Sequence, residues 1–480
     1  MMPLLTDTEL ERLSAHVANQ MGLHFPRSRW RDLEHAFSTA AIELGYPDVR
    51  ECIARFTAPL PARELVESMA GYLTIGETYF FREERCFKVL EERIIPEIIR
   101  QRRGNERRLR IWSAGCATGE EPYSIAILLY RMRSVLRGWN ISILATDINP
   151  HALRTARAGI YTQWSFRNTL PGFKEEYFRK TTEGRFELLP ALKKMVTFAG
   201  INLVKEPYPS LITDTNATDV IFCRNVLMYF TPQLAADVVA RFRLCLPEGG
   251  WLFVSPCETS NSVFSGFEPV NFPDATLYQK AQARTVAPQH HAATIPDPPP
   301  PVDFDIPPPL PPRESHDETS QYRTALTLYE QGAYRDAEAI AASLTQGRNG
   351  TGALALLCRI YANEGRLTEA LNLSDQALAA NKFSAGLHYL RAVILQEQGL
   401  NSEAAASLTK ALYLDPDQIL AHFTLANLAQ QNGRIKESRK HFANALSLLD
   451  RYRPDEVIPE SDGMFAGRLT EIIRATIAGM

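Results

Sequence analysis

Hydrophobic positions follow three rhythms along the chain. Up to about residue 95, apolar residues recur at helical spacing without strand-like alternation, which predicts helices over Asp7–Met21, Arg29–Leu44, Pro47–Phe56 and Ala62–Ala70. From Arg108, short apolar runs alternate with amphipathic segments: LRIWSAG, EPYSIAILLYRMRSVL, ISILATDI and HALRTARAGI, then ATDVIFCRNVLMYF, PQLAADVVARFRLCL, GGWLFVS and a last run near ATLYQKA. Strands alternating with helices imply an α/β unit with a mostly parallel, doubly wound sheet, which takes its ligand at the carboxyl ends of the strands. Between Ile160 and Phe198 the regular alternation is interrupted.

The third rhythm lies beyond a spacer. From about Ala283 to His316 the chain is rich in proline and poor in apolar residues, a composition that predicts an extended linker and not a core. Downstream, Gly365, Gly399 and Gly433 recur every 34 residues, as do Ala377, Ala411 and Ala445. Each unit holds two amphipathic segments: Leu354–Asn363 with Leu367–Ala380, Leu387–Gln398 with Ser402–Leu414, and Ile419–Gln431 with Ile435–Leu448. A weaker unit at Gly332–Ala337 opens the array one residue out of phase, and Phe465–Ile477 reads as a capping helix. Period and pairing resemble tetratricopeptide repeats, with Tyr361, Ala370, Ala404 and Pro416 in matching places and Ser438 as a departure. Such pairs stack into an all-α solenoid whose concave face takes a protein or peptide. The expected division is therefore 1–95, 96–282, 283–318, 319–455 and 456–480.

Charge and cysteine usage narrow the function. Lys plus Arg number 52 against 55 for Asp plus Glu, a net charge of -3, so no global field favours nucleic acid. The basic run IIRQRRGNERRLR, 98–110, reads as the tail of a helix before the first strand. Seven cysteines without a CxxC or a Cys/His cluster argue against a disulfide framework and against structural zinc, and point to a reducing compartment. With no apolar run of roughly 18 residues and no signal-peptide pattern at the start, the expectation is a cytoplasmic protein without direct membrane insertion.

The chemistry concentrates at GCATGEEPYS, residues 115–124, where an apolar strand gives way to a helix. A phosphate cradle wants Gly-rich backbone amides at a helix N-terminus. Here Glu120 and Glu121 occupy that end, and neither GxxxxGK[ST] nor GxGxxG is completed from Gly115. The ligand expected is cationic. S-adenosylmethionine carries an ammonium, a sulfonium and a ribose diol without phosphate. Asp147, closing the second strand in ILATDIN, is placed to receive ribose hydroxyls.

The series GETYFFRE (76–83), WSAGCATGEEPYSIA (112–126), ATDIN (145–149), ARAGIY (156–161), INL (201–203) and IFCRNVLMYF (221–230) resembles the chemotaxis receptor methyltransferases of CheR type over roughly residues 5–282. The resemblance implies a Rossmann-like methyltransferase domain with a small antiparallel β-subdomain, preceded by a receptor-facing helical domain. It implies methyl transfer from S-adenosylmethionine to glutamate carboxylates of a methyl-accepting chemoreceptor-like protein, with S-adenosylhomocysteine as product and no metal. It places Thr78 and Arg82 at the methionine end of the cofactor, Glu120 near its amino group and Asp147 on the ribose. Asn202 and Leu203 flank the adenine, and Arg224 and Asn225 extend the site. Tyr229 lies near the transferable methyl, and Arg82 orients the incoming carboxylate. Gly76 stands where a well-studied branch has asparagine. Arg27, Arg29 and Arg31 form a basic strip suited to an acidic receptor helix. Two other readings share these residues: a cofactor-sensing platform whose repeats serve as a scaffold, and a small-molecule methyltransferase.

Overall fold

The computed structural model describes residues 5–59, 61–102, 107–259, 263–272, 275–281, 316–347, 349–461, 463–478 and 480. Most of the expected proline-rich linker, 282–315, lies outside the described residues.

The chain opens with helices α1 (Asp7–Met21), α2 (Trp30–Glu43), α3 (Val49–Phe56) and α4 (Arg63–Leu73). α1 begins where Thr6 and Glu9 exchange side-chain and backbone hydrogen bonds as a capping box, and stops at Gly22, whose φ of 80° a side chain would resist. Asp48 caps α3 with its side chain alone, accepting from Glu51 N–H. The apolar stripes meet around Leu13, Val17, Leu33, Phe37, Phe56 and Met69. Tyr229 and Phe230, distant in sequence, pack on this cluster.

Helices α5 (Glu84–Val89) and α6 (Ile95–Gln101) belong to the next core. Phe80, Phe87, Leu90, Ile94 and Ile98 pack with Ile111 and Phe222 of the sheet. The sheet itself grows from β1 (Arg108–Ala114), buried along its whole length, with α7 (Glu120–Arg131), β2 (Asn140–Asp147) and α8 (Pro150–Ala158) following. An insertion then builds a separate antiparallel sheet. It comprises β3 (Ile160–Tyr161), α9 (Phe173–Tyr177), β4 (Phe178–Lys180) and β5 (Phe186–Leu188), ordered β3-β5-β4. The main fold resumes with α10 (Pro190–Lys193), β6 (Val196–Gly200), β7 (Val220–Phe222), α11 (Pro232–Cys245), β8 (Trp251–Phe253), β9 (Phe267–Phe272) and β10 (Ala275–Lys280).

The order of the seven-stranded sheet is β6-β2-β1-β7-β8-β10-β9, parallel except at β10 and β9. From β1 the chain moves to β2 and β6 on one side and returns to β7 on the other. The reversal opens a crevice over the carboxyl ends of β1 and β7, where doubly wound folds bind their ligands.

The repeat region comprises α12 (His316–Glu330), α13 (Tyr334–Ser343), α14 (Gly350–Asn363), α15 (Leu367–Ala380), α16 (Ala385–Glu397), α17 (Asn401–Leu414), α18 (Ile419–Gln431), α19 (Ile435–Leu449) and the last helix α20 (Ala466–Ala478). The recurring glycines at 332, 365, 399 and 433 all have φ between 72° and 79°, the left-handed turn that joins the paired helices.

Three of these turns lie against the seven-stranded sheet and its helix α11. A Cβ at Gly332 would fall 2.4 Å from Leu244 of α11, one at Gly365 3.0 Å from the Arg108 guanidinium, and one at Gly399 3.4 Å from Asn140. Leu211 and Ile212, in the segment before β7, pack against the apolar clusters of the repeats. At the centre Glu397 of α16 pairs with both Arg108 and Arg110, all three side chains being buried. The basic run 98–110 tails off α6, which ends at Gln101, and its last two arginines enter the expected strand. They lie within β1, on one face at alternate positions, and the repeats supply their counter-charge.

Removing that shared anion leaves two guanidinium groups buried against each other. Glu397→Ala is expected to destabilise the full chain by about 3 kcal/mol, read as a lowered denaturant midpoint of the transition that includes the repeats. An unchanged midpoint would mean that the interface does not contribute to stability.

Candidate active site

The loop after β1 is shaped by close approach. Gly115 has φ 83°, and a Cβ there would fall 2.3 Å from Val226. Its N–H and that of Cys116 both donate to Thr146 O, at 2.7 and 2.9 Å, which ties the loop to the end of β2. Ala117, with φ 46°, donates its N–H to Asp147 Oδ2 at 2.8 Å, and Asn149 N–H donates to Oδ1 at 2.8 Å. Ala117 and Asn225, which line the crevice, and Phe81 and Glu83, which flank the lining residue Arg82, all have positive φ without being glycine. Such backbone strain persists where surrounding contacts hold it.

Two adjoining cavities fill the crevice and share Ile75, Gly115, Ala117 and Asn225. The larger, about 750 Å³, is mainly apolar and is walled by Met21, Leu23, Leu73, Leu203 and Phe230, with Asp147 and Asn202 as polar points. The smaller, about 440 Å³, is ionic and holds Thr78, Arg82, Glu121 and Arg224. One end suits a heterocycle and sugar; the other suits a zwitterion.

Most residues named from the sequence converge on this crevice. Gly76, Asp147, Asn202, Leu203 and Tyr229 line the larger cavity; Thr78, Arg82 and Arg224 line the smaller; Gly115 and Asn225 line both. A Cβ at Gly76 would meet nothing within 4 Å, so the position is open to a side chain. Glu120 lies elsewhere. Its carboxylate accepts from Thr118 Oγ1 at 2.6 Å and from Ser165 Oγ at 2.9 Å, facing the inserted sheet, and it lines neither cavity. Arg27 and Arg29 also stand outside the crevice. They pair with Asp7 and Asp32 and stack on Trp30 and Phe25, while Arg31 is exposed.

Glu83, Ser255 and Glu258 were given no role from the sequence, and Glu121 was noted only as part of the acidic first turn. Glu121 accepts from Ser113 Oγ at 2.8 Å and from Arg224 Nη1 at 3.1 Å. Arg224 Nη2 lies 2.9 Å from Glu83 and donates to Arg82 O at 2.6 Å. Ser255 Oγ donates to Glu83 at 2.6 Å and accepts from Asn225 Nδ2 at 3.0 Å. Glu258 is nearly buried and acts as a receptor for backbone donors. Asn225 and Ser255 N–H groups donate to its Oε2 at 2.8 and 2.9 Å, and those of Val226 and Met228 to Oε1 at 2.8 and 3.2 Å. It therefore sets the turn that carries Asn225 and leads to Tyr229.

Helix geometry explains the choice between the adjacent glutamates. Neighbouring helical residues point about 100° apart, so one of the pair faces the crevice and the other the insertion. The acidic first turn was a visible signal; the rotational setting of α7 was not.

Burial pushes the Glu121 carboxyl up from its ordinary range, against the pull of Arg224 and Ser113. Burial likewise raises Asp147, opposed by the N–H donors of Asn149 and Ala117. Both anions are thus underpaid for desolvation in the crevice as it stands. A ligand bringing an ammonium to one and hydroxyl donors to the other relieves both, and S-adenosylmethionine has that donor set.

Comparisons with known proteins agree with this geometry. The family described as "CheR methyltransferase, SAM binding domain" matches residues 76–274, and the tetratricopeptide repeat family matches 385–418. A chemotaxis protein methyltransferase of Borreliella burgdorferi is 32% identical over 257 residues, covering 53% of this chain and 89% of that protein. Chemotaxis protein methyltransferase 1 of Pseudomonas aeruginosa is 33% identical, covering 45% and 77% respectively. Chemotaxis protein methyltransferase 2 of Vibrio cholerae is 30% identical, covering 58% and 94%. With relatives of this identity covered over most of their length, and with the family match spanning residues 76–274, this chain belongs to the CheR family of S-adenosylmethionine-dependent methyltransferases.

Proposed function

We propose that the two cavities hold S-adenosylmethionine end to end and that the protein methylates glutamate side chains of a chemoreceptor-like partner. The observation that carries this reading is the division of one crevice into an apolar half with Asp147 and an ionic half with Glu121, Arg224 and Arg82. Asn202 and Leu203 flank the adenine, Asp147 takes the ribose hydroxyls, and Glu121 takes the role that the sequence had assigned to Glu120.

Bound there, the cofactor supplies a methyl group on a sulfonium. The accepting carboxylate is ionised near neutral pH, so this chain needs no general base. Transfer forms the O–CH₃ bond as the C–S bond breaks, with the electron pair left on sulfur, and joins opposite charges. Because water favours the separated charges, the protein's contribution is to align the groups and to exclude water. Arg82 is suited to orient the incoming carboxylate. It is anchored by donation from Nη1 to Glu77 O at 2.7 Å, and it lies in the smaller cavity. Tyr229 closes the larger cavity from the side of the helical unit, its carbonyl accepting from His24 N–H at 2.7 Å. The strip of Arg27, Arg29 and Arg31 steers an acidic helix less strongly than its charges suggest, because Asp7 and Asp32 offset the first two.

The direct test is transfer of labelled methyl from S-adenosylmethionine to the cytoplasmic part of a receptor encoded beside this gene. Base-labile release of methanol is expected. Cofactor binding without transfer to a confirmed partner would sink the enzymatic reading and favour a sensing platform.

The assignment of the carboxylates is tested by paired variants. Glu121→Gln is expected to weaken cofactor binding on the order of tenfold, while Glu120→Gln leaves the dissociation constant within about threefold. The reverse ranking, measured by calorimetry, would return the role to Glu120.

Glu258→Gln replaces one acceptor oxygen by an NH₂ group that confronts backbone donors. A fall in kcat on the order of tenfold is expected, by misplacement of the 225–229 turn. Wild-type kinetics would show that the turn holds itself.

A further inference from the structure

The outer wall of the cofactor crevice is backed by a cluster of charges drawn from three parts of the chain. Glu206 stands at its centre, with a side chain 14% exposed. Its Oε1 lies 2.7 Å from Arg63 Nη2 of α4, and its Oε2 lies 3.2 Å from Arg468 Nη2 of α20. Arg63 also meets Glu67 at 2.7 Å and Glu471 of α20 at 3.0 Å. The Arg468 side chain is 10% exposed, with Nη1 3.5 Å from Glu471 and 3.8 Å from Glu67. A helix that follows the repeats thereby reaches the helical unit at the other end of the chain.

Glu206 also belongs to the turn that forms part of the wall. Its N–H donates to Asn202 O at 3.0 Å and closes the turn of residues 202–206; within that turn Val204 N–H donates to Asn202 Oδ1 at 3.0 Å. Asn202 and Leu203 line the larger cavity, and so do Leu73 and Thr74 at the end of α4. Arg468 lies against the start of the same turn, where a Cβ at Gly200 would fall 3.6 Å from its Nη2. The turn has other supports: Tyr208 OH donates to Leu203 O at 2.8 Å, and Arg241 donates to Leu203 O and Glu206 O. Arg468 adds a support that depends on the docking of the repeats.

We propose that Arg468 is a positioning residue for the cofactor: through Glu206 it holds the turn of residues 202–206 that receives the adenine, so that docking of the repeat module and affinity for S-adenosylmethionine are coupled. This inference rests on the assignment of the crevice to S-adenosylmethionine. Coupling of binding free energies is reciprocal. Cofactor binding tightens α20 on the catalytic unit by the factor with which docked α20 tightens the cofactor. A partner that draws the repeat module away from Glu206 then lowers cofactor affinity without entering the crevice. Among the described residues, none of the repeat region lines either cavity, so the coupling passes through the wall and not through occlusion.

The test titrates S-adenosylhomocysteine into the full chain by calorimetry, for the wild type, Arg468→Ala and Arg468→Lys. It is joined to amide hydrogen exchange of α20 with and without that ligand. Arg468→Ala is expected to weaken binding on the order of fivefold, and Arg468→Lys, which keeps the charge, to fall between. In methyl-transfer assays the loss is expected in KM for S-adenosylmethionine, with kcat at saturation retained. In the wild type, ligand slows exchange along α20; in Arg468→Ala that slowing disappears. A helix that merely stabilises the fold would lower the melting temperature of Arg468→Ala but leave affinity and the ligand-dependent exchange as they are, and that result overturns the proposal. Wild-type protein that fails to bind S-adenosylhomocysteine removes the cofactor assignment itself, and this inference with it.

Discussion

A single buried cation organises the catalytic half of the molecule. The Arg224 side chain is 2% exposed, and a guanidinium in such a place is tolerated only when its charge is matched. Glu83 and Glu121 match the charge and the carbonyl of Arg82 takes a further hydrogen bond; Arg82 and Glu83 are neighbours just before α5, and Glu121 lies in the first turn of α7. Through those partners the arginine fixes the segment with Thr78 and Arg82 against the start of α7 and against the loop after β7. Ser255 and Glu258 continue the arrangement, the first by binding Glu83 and Asn225, the second by gathering the backbone donors of the following turn. The crevice is preorganised by a chain of linked ion pairs and hydrogen bonds, which suits a reaction that needs alignment and dryness more than acid or base.

The same physical demand appears at the opposite end of the sheet. Arg108 and Arg110 lie on one face of the central strand, at its amino end, and an isolated catalytic unit would have to solvate them. Here α16 provides Glu397, and the turns at Gly332, Gly365 and Gly399 bring the solenoid edge close enough to bury all three groups. The repeats are therefore built into the catalytic unit by charge as well as by Leu211 and Ile212. Their contacts support a brace more than a loosely tethered arm, and among the described residues none of the repeats lines the crevice.

Legibility in the sequence followed the range of the determining interaction. Local periodicity predicted α1, α15 and α18 to their terminal residues, because capping boxes, turn glycines and amphipathic spacing are written within a few positions. The switch point was legible too, since the alternation of strands and helices and the glycine turn at 115 are consecutive features. The partnering of charges was not. That Arg108, at the start of the expected strand, faces Glu397, 289 residues away, depends on tertiary packing that no window of sequence contains. Glu258 was missed for a related reason: its partners are backbone N–H groups, which carry no residue identity to search for.

The two sets of charges place the repeat module under a specific constraint. Solenoids ordinarily present an extended surface to outside partners, but this one spends Glu397 and, beyond its last pair, Arg468 and Glu471 on its own catalytic unit. Buried ion pairs contribute little net stability relative to apolar contacts, yet breaking one partner away is costly because the other remains buried. An interface of that kind separates reluctantly and all at once, since releasing α16 without α20 would strand charges on both sides. A protein that binds the repeats then has two physical options. It either uses surfaces left outside the interface, recruiting the enzyme with its crevice intact, or supplies replacement charges for Arg108, Arg110 and Glu206 while it displaces the module. The second route changes the wall at Asn202 and Leu203, and recruitment through it would carry a change in cofactor affinity as a necessary consequence of the fold.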